Sequence, residues 1–123
     1  MSLVLADTSV WIAHFRKHNT ALQILLSADQ VLCHPMLLFE IACGTPPAPR
    51  ERTLNDLRQL RSATVANTEE ILALIARERL HDSGCGAVDL LLLGSVLLTP
   101  EAVLWTLDKN LAALAARFEI SFV

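Results

Sequence analysis

Short apolar runs that each give way at once to a helical pattern recur along this chain, and no other feature restricts its fold as much. "LVLA" (3–6) reads as a buried strand, and "DTSVWIAHFRK" continues it with apolar residues at 10, 11, 12 and 15 and an N-cap in Asp7, Thr8 or Ser9. A second amphipathic helix, "NTALQILLSAD" (19–29), leads to the strand "QVLCH" (30–34). The helix "PMLLFEIACG" follows, with Pro35 at its first position and Gly44 at its end. A Pro-rich connection, "TPPAPRE" (45–51), introduces the helix "RTLNDLRQLRS", in which Leu54, Leu57 and Leu60 recur every three residues. The remainder predicts a strand "ATVAN" (63–67) and a helix from Asn67 with Glu70 in a capping-box relation. After these come a buried helix in "CGAVDLLLLGSVLL", a strand "AVLWTL" (102–107), a helix "DKNLAALAARF" and a terminal strand "EISFV". Parallel strands need crossovers, and right-handed crossovers lay helices on the faces of the sheet. The alternation therefore predicts an α/β fold, a three-layer α/β/α sandwich around a mainly parallel sheet of four to five strands.

At 123 residues and 53% hydrophobic content, the chain is expected to form one globular domain over residues 1–123. The longest apolar stretch is interrupted by Asp89 and falls short of the roughly 18 to 20 residues that a membrane span requires. No basic segment precedes an apolar one at the start, so the expected compartment is the cytoplasm. Cys33, Cys43 and Cys85 stand at wide, unpatterned spacings and are expected to be reduced core thiols. The net charge of −3 argues against a broadly basic surface for nucleic acid, so a nucleic-acid substrate would need another bridge.

Four acids stand out against this background. Asp7 and Asp108 each follow a strand of the expected parallel sheet, at the carboxyl edge where open α/β sheets bind ligands. Glu40 is the only acid in "PMLLFEIACG", and Asp89 is the only charge in "GAVDLLLLGSVLL". A charge among buried residues needs a cation, hydrogen bonds or an open cleft. Were the four to converge at about 5 Å, each pair would repel by about 3 kcal/mol at an effective dielectric near 20. Oxygen-only ligands of this kind favour hard divalent ions, Mg²⁺ or Mn²⁺, which accept phosphate oxygens as further ligands. Helix capping accounts for Asp7 and Asp108 equally well, and free first-turn amides are open to Asp89, but capping leaves Glu40 unexplained.

The segments "LVLADTSVWI", "FEIACG", "CGAVDLLLLGSVLL" and "LWTLDKNLAALA" together resemble the four acidic motifs of PIN-domain ribonucleases, and more narrowly the VapC-type toxins of bacterial toxin–antitoxin modules. The likeness runs from Leu3 to about Phe118 in the family's order. It implies that Asp7, Glu40, Asp89 and Asp108 bind one or two Mg²⁺ or Mn²⁺ ions, which activate water for in-line attack on an RNA phosphodiester. It further implies that Thr8, Ser9 and Thr106, with Asn110 nearby, orient carboxylates or water. A homodimer and a small antitoxin whose C-terminal segment covers the acidic cleft are its expected partners. The chain departs from many relatives in carrying Ala87 after Gly86, where they have an aromatic, and in following Asp108 with Lys109 and Asn110 rather than a further acid.

Other readings compete at particular residues. Arg50, Arg52, Arg58 and Arg61 cluster around one helix as candidate RNA contacts, but Glu51 and Asp56 dilute them into an ordinary solvated face. His14, His18, His34 and His81 lack the spacing of a three-ligand metal site. Val10, Ile12, Leu22, Leu25 and Leu26 serve either a core or a dimer face. Two alternatives to a nuclease remain: a catalytically inactive interaction scaffold, and a phosphatase or phosphotransfer domain. Ser9 speaks against the latter, because it stands where such enzymes carry a second acid.

Overall fold

In the computed structural model, which describes residues 2–122, four strands form one all-parallel sheet in the order β3-β2-β1-β4. The strands are β1 (Leu3–Ala6), β2 (Val31–Cys33), β3 (Arg61–Ser62) and β4 (Ala102–Trp105). Two helices, α1 (Thr8–Arg16) and α2 (Thr20–Ser27), connect β1 to β2. The pair α3 (Pro35–Cys43) and α4 (Arg50–Arg58) connects β2 to β3, and α5 (Thr68–Glu78) and α6 (Ala87–Leu98) connect β3 to β4. The last helix, α7 (Lys109–Arg117), follows β4. The result is the α/β/α sandwich that the alternation predicts.

The order of strands matters more for function than their number. From β1 the chain moves to one side through β2 and β3, then crosses back to place β4 on the other side of β1. Connections leaving the carboxyl ends of β1 and β4 therefore diverge, and this is the kind of switch point at which open α/β sheets leave a crevice. Asp7 and Thr106 stand there, each one residue beyond its strand, and the Asp7 amide extends the ladder by donating to the Trp105 carbonyl at 2.9 Å. Central β1 is fully apolar, with Val4, Leu5 and Ala6 all buried against Leu32 and Leu104 of its neighbours.

Two expected strands differ. Pairing with β2 occupies Arg61–Ser62 rather than 63–67: after the Ala63 amide, which still donates to the Cys33 carbonyl, the amides of Thr64 and Ala66 are taken by side chains of α6 and its C-cap. Thr64 N–H donates to Thr99 Oγ1 at 2.9 Å and Ala66 N–H to Ser95 Oγ at 3.0 Å. The terminal segment is reduced to a single parallel bridge between Leu104 and Ser121, flanked by hydrogen bonds from Leu104 to Ile120 and from Phe122 to Leu104.

The buried helix is α6, which encloses Leu90, Leu92, Leu93, Gly94, Ser95 and Val96. A Cβ at Gly94 would collide with the Ile71 side chain, so this glycine lets α5 lie directly on α6. Val10 and Leu22 belong to the core, whereas Ile12 is exposed. Cys33 is buried and Cys85 half-buried, but Cys43 is exposed on α3, contrary to the expectation of three core thiols. No helix among the described residues is long and apolar enough to cross a membrane.

Candidate metal centre

Asp7 is the fixed point of the carboxyl edge. It is only 5% exposed, and its two oxygens accept hydrogen bonds from three donors. Ser9 Oγ (2.5 Å) and the Val10 amide (3.3 Å) donate to Oδ1, and the Thr106 hydroxyl donates to Oδ2. Both hydroxyls are themselves positioned: Ser9 Oγ accepts the Leu107 amide and Thr106 Oγ1 the Asp108 amide, each at 3.0 Å. The loop after β4 is thus stitched to the start of α1.

The other three acids are held more loosely. Glu40 is exposed on α3, where its Oε1 accepts the Thr8 hydroxyl at 2.6 Å, tying α1 to α3. Asp108 is the N-cap of α7, accepting the Leu111 amide at 2.9 Å. Asp89 sits in the first turn of α6 and reaches back to the Gly86 amide at a long 3.4 Å. Burial pushes its carboxyl above the usual range, and the charges of Asp108, Asp7 and Glu40 push the same way, against the opposing Gly86 hydrogen bond. The charges of three carboxylates from other elements therefore reach Asp89. Burial also raises the Cys85 thiol, with Asp89 and Asp108 adding to the effect.

The donor set suits a hard divalent cation, being all oxygen and strongly negative. Among the described residues, no three His, Cys, Asp or Glu side chains stand close enough together to form a finished cage. The reason is visible in the hydrogen bonds. Asp7, Asp89 and Asp108 each spend an oxygen on a helix-start amide, and Glu40 spends one on Thr8. The second oxygens of Glu40, Asp89 and Asp108 accept no hydrogen bond among the described residues, so capping does not exhaust these carboxylates.

Thr8, Ser9 and Thr106 lie where the sequence suggests, each bonded to a carboxylate. Asn110 does not touch one. Its side-chain amide faces the Gly84 carbonyl at 3.5 Å, and a Cβ at Gly84, whose φ is +82°, would strike it. Asn110 thereby supports the turn that leads into α6. The arginines are not gathered at the site. Arg61 reaches back to Asp29, ahead of β2 and so towards the amino edge of the sheet, and Arg50 donates to the Ala42 carbonyl at the end of α3. Arg58 donates to Asn55 within α4, and Arg52 is exposed on the same helix.

Sequence reasoning missed His34, which is 1% exposed between β2 and α3. Its Nδ1 accepts the Met36 amide at 3.0 Å, which places the proton on Nε2, and that nitrogen donates to Ser95 Oγ at 2.9 Å. His34 and Ser95 thus pin α3, the bearer of Glu40, to α6, the bearer of Asp89. Burial depresses the imidazole pKa, in keeping with the neutral form that this bonding needs. The available signal was a lone His before Pro35 at a strand end, together with a lone Ser in the most apolar helix.

The sequence matches the PIN domain family over residues 4–117. It is 44% identical over 114 residues to Ribonuclease VapC32 of Mycobacterium tuberculosis, in both strain CDC 1551 / Oshkosh and strain ATCC 25618 / H37Rv. The alignment spans 93% of this chain and 91% of each relative. By fold, by its acidic edge and by this similarity across nearly its whole length, the chain belongs to the PIN-domain family and, within it, to the VapC-type ribonucleases.

Proposed function

We propose that residues 1–123 act as one nuclease domain, a divalent-metal-dependent endoribonuclease that serves as the toxin of a toxin–antitoxin pair. The observation that supports this reading is that Asp89, in the first turn of α6, feels the charges of Asp108, Asp7 and Glu40 from three other elements, beside the switch point of a parallel sheet. The relatives' printed name, ribonuclease, supports it independently.

In this reading Asp7, Glu40, Asp89 and Asp108 hold one or two Mg²⁺ or Mn²⁺ ions. Such an ion, when bound, lowers the pKa of a coordinated water and offsets the charge of a phosphodiester under attack. The chain's own residues do the positioning. Ser9 and Thr106 fix both oxygens of Asp7, so the strand end presents one rotamer. Thr8 orients Glu40 from the opposite helix, and the half-buried Asp89 gains most from a cation because its charge is the least well solvated. RNA is the substrate and a small antitoxin the regulator. An arginine of that antitoxin would find charge-assisted partners in the acidic cleft. The active form is a homodimer in the cytoplasm.

The test is cleavage of total RNA by purified, antitoxin-free protein with Mg²⁺, with Mn²⁺ or with chelator, comparing wild type with Asp7→Asn and Asp89→Asn. Discrete, metal-dependent cuts lost in both variants are expected. Cutting that survives both substitutions would sink the four-carboxylate site. Folded wild type that takes up metal yet cuts nothing would favour an interaction scaffold.

A further inference from the structure

A cavity of about 440 Å³ lies beside the carboxylates, between α1, α3 and the Thr45–Pro47 stretch. Its walls are largely apolar, formed by Phe15, Ile41, Pro46 and Ile12, the last 41% exposed although large and apolar. Two charged side chains line it as well. Glu40 is one, the single member of the acidic set that lines it. Arg16 is the other, at the last turn of α1. The two do not form an ion pair: Glu40 Oε1 accepts the Thr8 hydroxyl, and Arg16 enters no salt bridge among the described residues. An uncompensated guanidinium therefore flanks an apolar slot that opens beside the proposed cleavage site.

We propose that this cavity is the subsite for the nucleotide next to the cleaved bond, with its base packed against Phe15 and Pro46 and its phosphate met by Arg16. The inference rests on the ribonuclease reading and says where sequence preference arises. Base packing on an aromatic tolerates any base but ranks them, so a slot of this kind biases rather than dictates the cut. It also meets a difficulty of the charge balance. A chain of net charge −3 has few cations to offer a polyanion, and Arg16 is the one that shares a cavity with a candidate metal ligand. Charge also favours RNA over a protein occupant. A segment suited to the acidic cleft would be basic, and Arg16 would repel it.

The experiment uses a random-sequence single-stranded RNA pool with Mg²⁺ or Mn²⁺ and sequencing of the cut ends. The proteins are wild type, Arg16→Gln, Ile12→Ser and Phe15→Ala, with Arg77→Gln on α5 as a control and thermal midpoints to confirm folding. Wild type is expected to show a base preference at one position flanking the cut. Phe15→Ala and Ile12→Ser should flatten it, with about a tenfold loss of kcat/KM. Arg16→Gln should leave the preference in place, raise KM for every sequence, and reduce the slope of log KM against log salt by roughly 0.7, the share of one phosphate contact on a single strand. Arg77→Gln should change nothing. If Phe15→Ala misfolds, the exposed Ile12 and Arg16 variants decide the matter. Active wild type with unaltered profiles and salt slopes in those variants would overturn the subsite alone. Variants that cut normally but escape inhibition by a bound protein would assign the cavity to that partner and overturn it too. Inactive wild type would instead overturn the ribonuclease reading and the subsite with it.

Discussion

Asp7 and Asp89 are both acids at the start of a helix, yet the fold treats them oppositely. Asp7 is almost wholly buried and has three donors, two of them hydroxyls that are themselves anchored. Asp89 is half-exposed and has one long hydrogen bond, and its carboxyl is pushed up by burial and by its acidic neighbours. Burial of a charge is tolerable when donors replace water and unfavourable when they do not. One carboxylate is therefore a fixed reference, its orientation set by the protein. The other is left poorly satisfied by the protein and, on the proposed reading, is the one a cation would relieve most.

The largest effect expected treats the two alike. Asp7→Asn and Asp89→Asn should each lower metal-dependent RNA cleavage by more than about a hundredfold, as loss of a ligand exceeds the usual cost of disturbing its supports. A variant that kept half its rate would break the pairing. Next comes the joint that carries the loosely held side, for Glu40 and Asp89 ride on the two helices that His34 connects. His34→Ala strips partners from the buried Met36 amide and Ser95 hydroxyl, and should cost about 2 to 4 kcal/mol in urea unfolding. The same joint gives a pH dependence with a definite sign. The folded-state pKa of His34 lies below its ordinary value of 6.5, so its contribution is present above that pH and is lost as pH falls towards the folded value. The unfolding midpoint of wild type should therefore drop on acidification below about 6.5, and less steeply in His34→Gln.

Stability should then separate the two carboxylates where activity does not. Asp7→Ala removes an N-cap and the acceptor of two hydroxyls, and should cost about 1 to 2 kcal/mol. Asp89→Asn keeps an acceptor for the Gly86 amide while removing a poorly solvated charge, and should raise the thermal midpoint in chelator. A lowered midpoint would show that Asp89 is not the strained member of the set. Thr106→Val is expected to have the smallest effect, about a tenfold loss of activity with the fold intact. It tests whether the fixity of Asp7 matters to chemistry at all.

The strand–helix alternation was legible because each element carries its own signal: an apolar run, a cap, a period. What the sequence hid depends on contacts between elements. The amides of Thr64 and Ala66 read as strand, but Thr99 and Ser95 intercept them, and only packing of α6 against this segment reveals that. His34 was invisible for the same reason, as its partner lies 61 positions away. The four acids were legible as outliers of charge in apolar surroundings. Their capping roles were equally legible, and sequence alone could not choose, because in Asp89 and Asp108 the cap occupies only one oxygen of the carboxylate and leaves the other without a partner among the described residues. The departure at Asn110 was the least readable, since its neighbour is a backbone carbonyl in a glycine turn.

The bond from Thr106 to Asp7 spans 99 positions, and β1 has β4 as one of its two flanking strands. During synthesis, β1 waits through two strands and six helices before β4 arrives. Long-range parallel pairing of this kind forms late. A fragment halted anywhere ahead of β4 lacks Thr106, Asp108 and the strand that closes the crevice, so it holds at most three of the four candidate carboxylates, and Asp7 is without one of its donors. For a protein read here as an enzyme that cuts RNA, this topology acts as a timer: RNA is safe from the growing chain until β4 and the turn after it have been made.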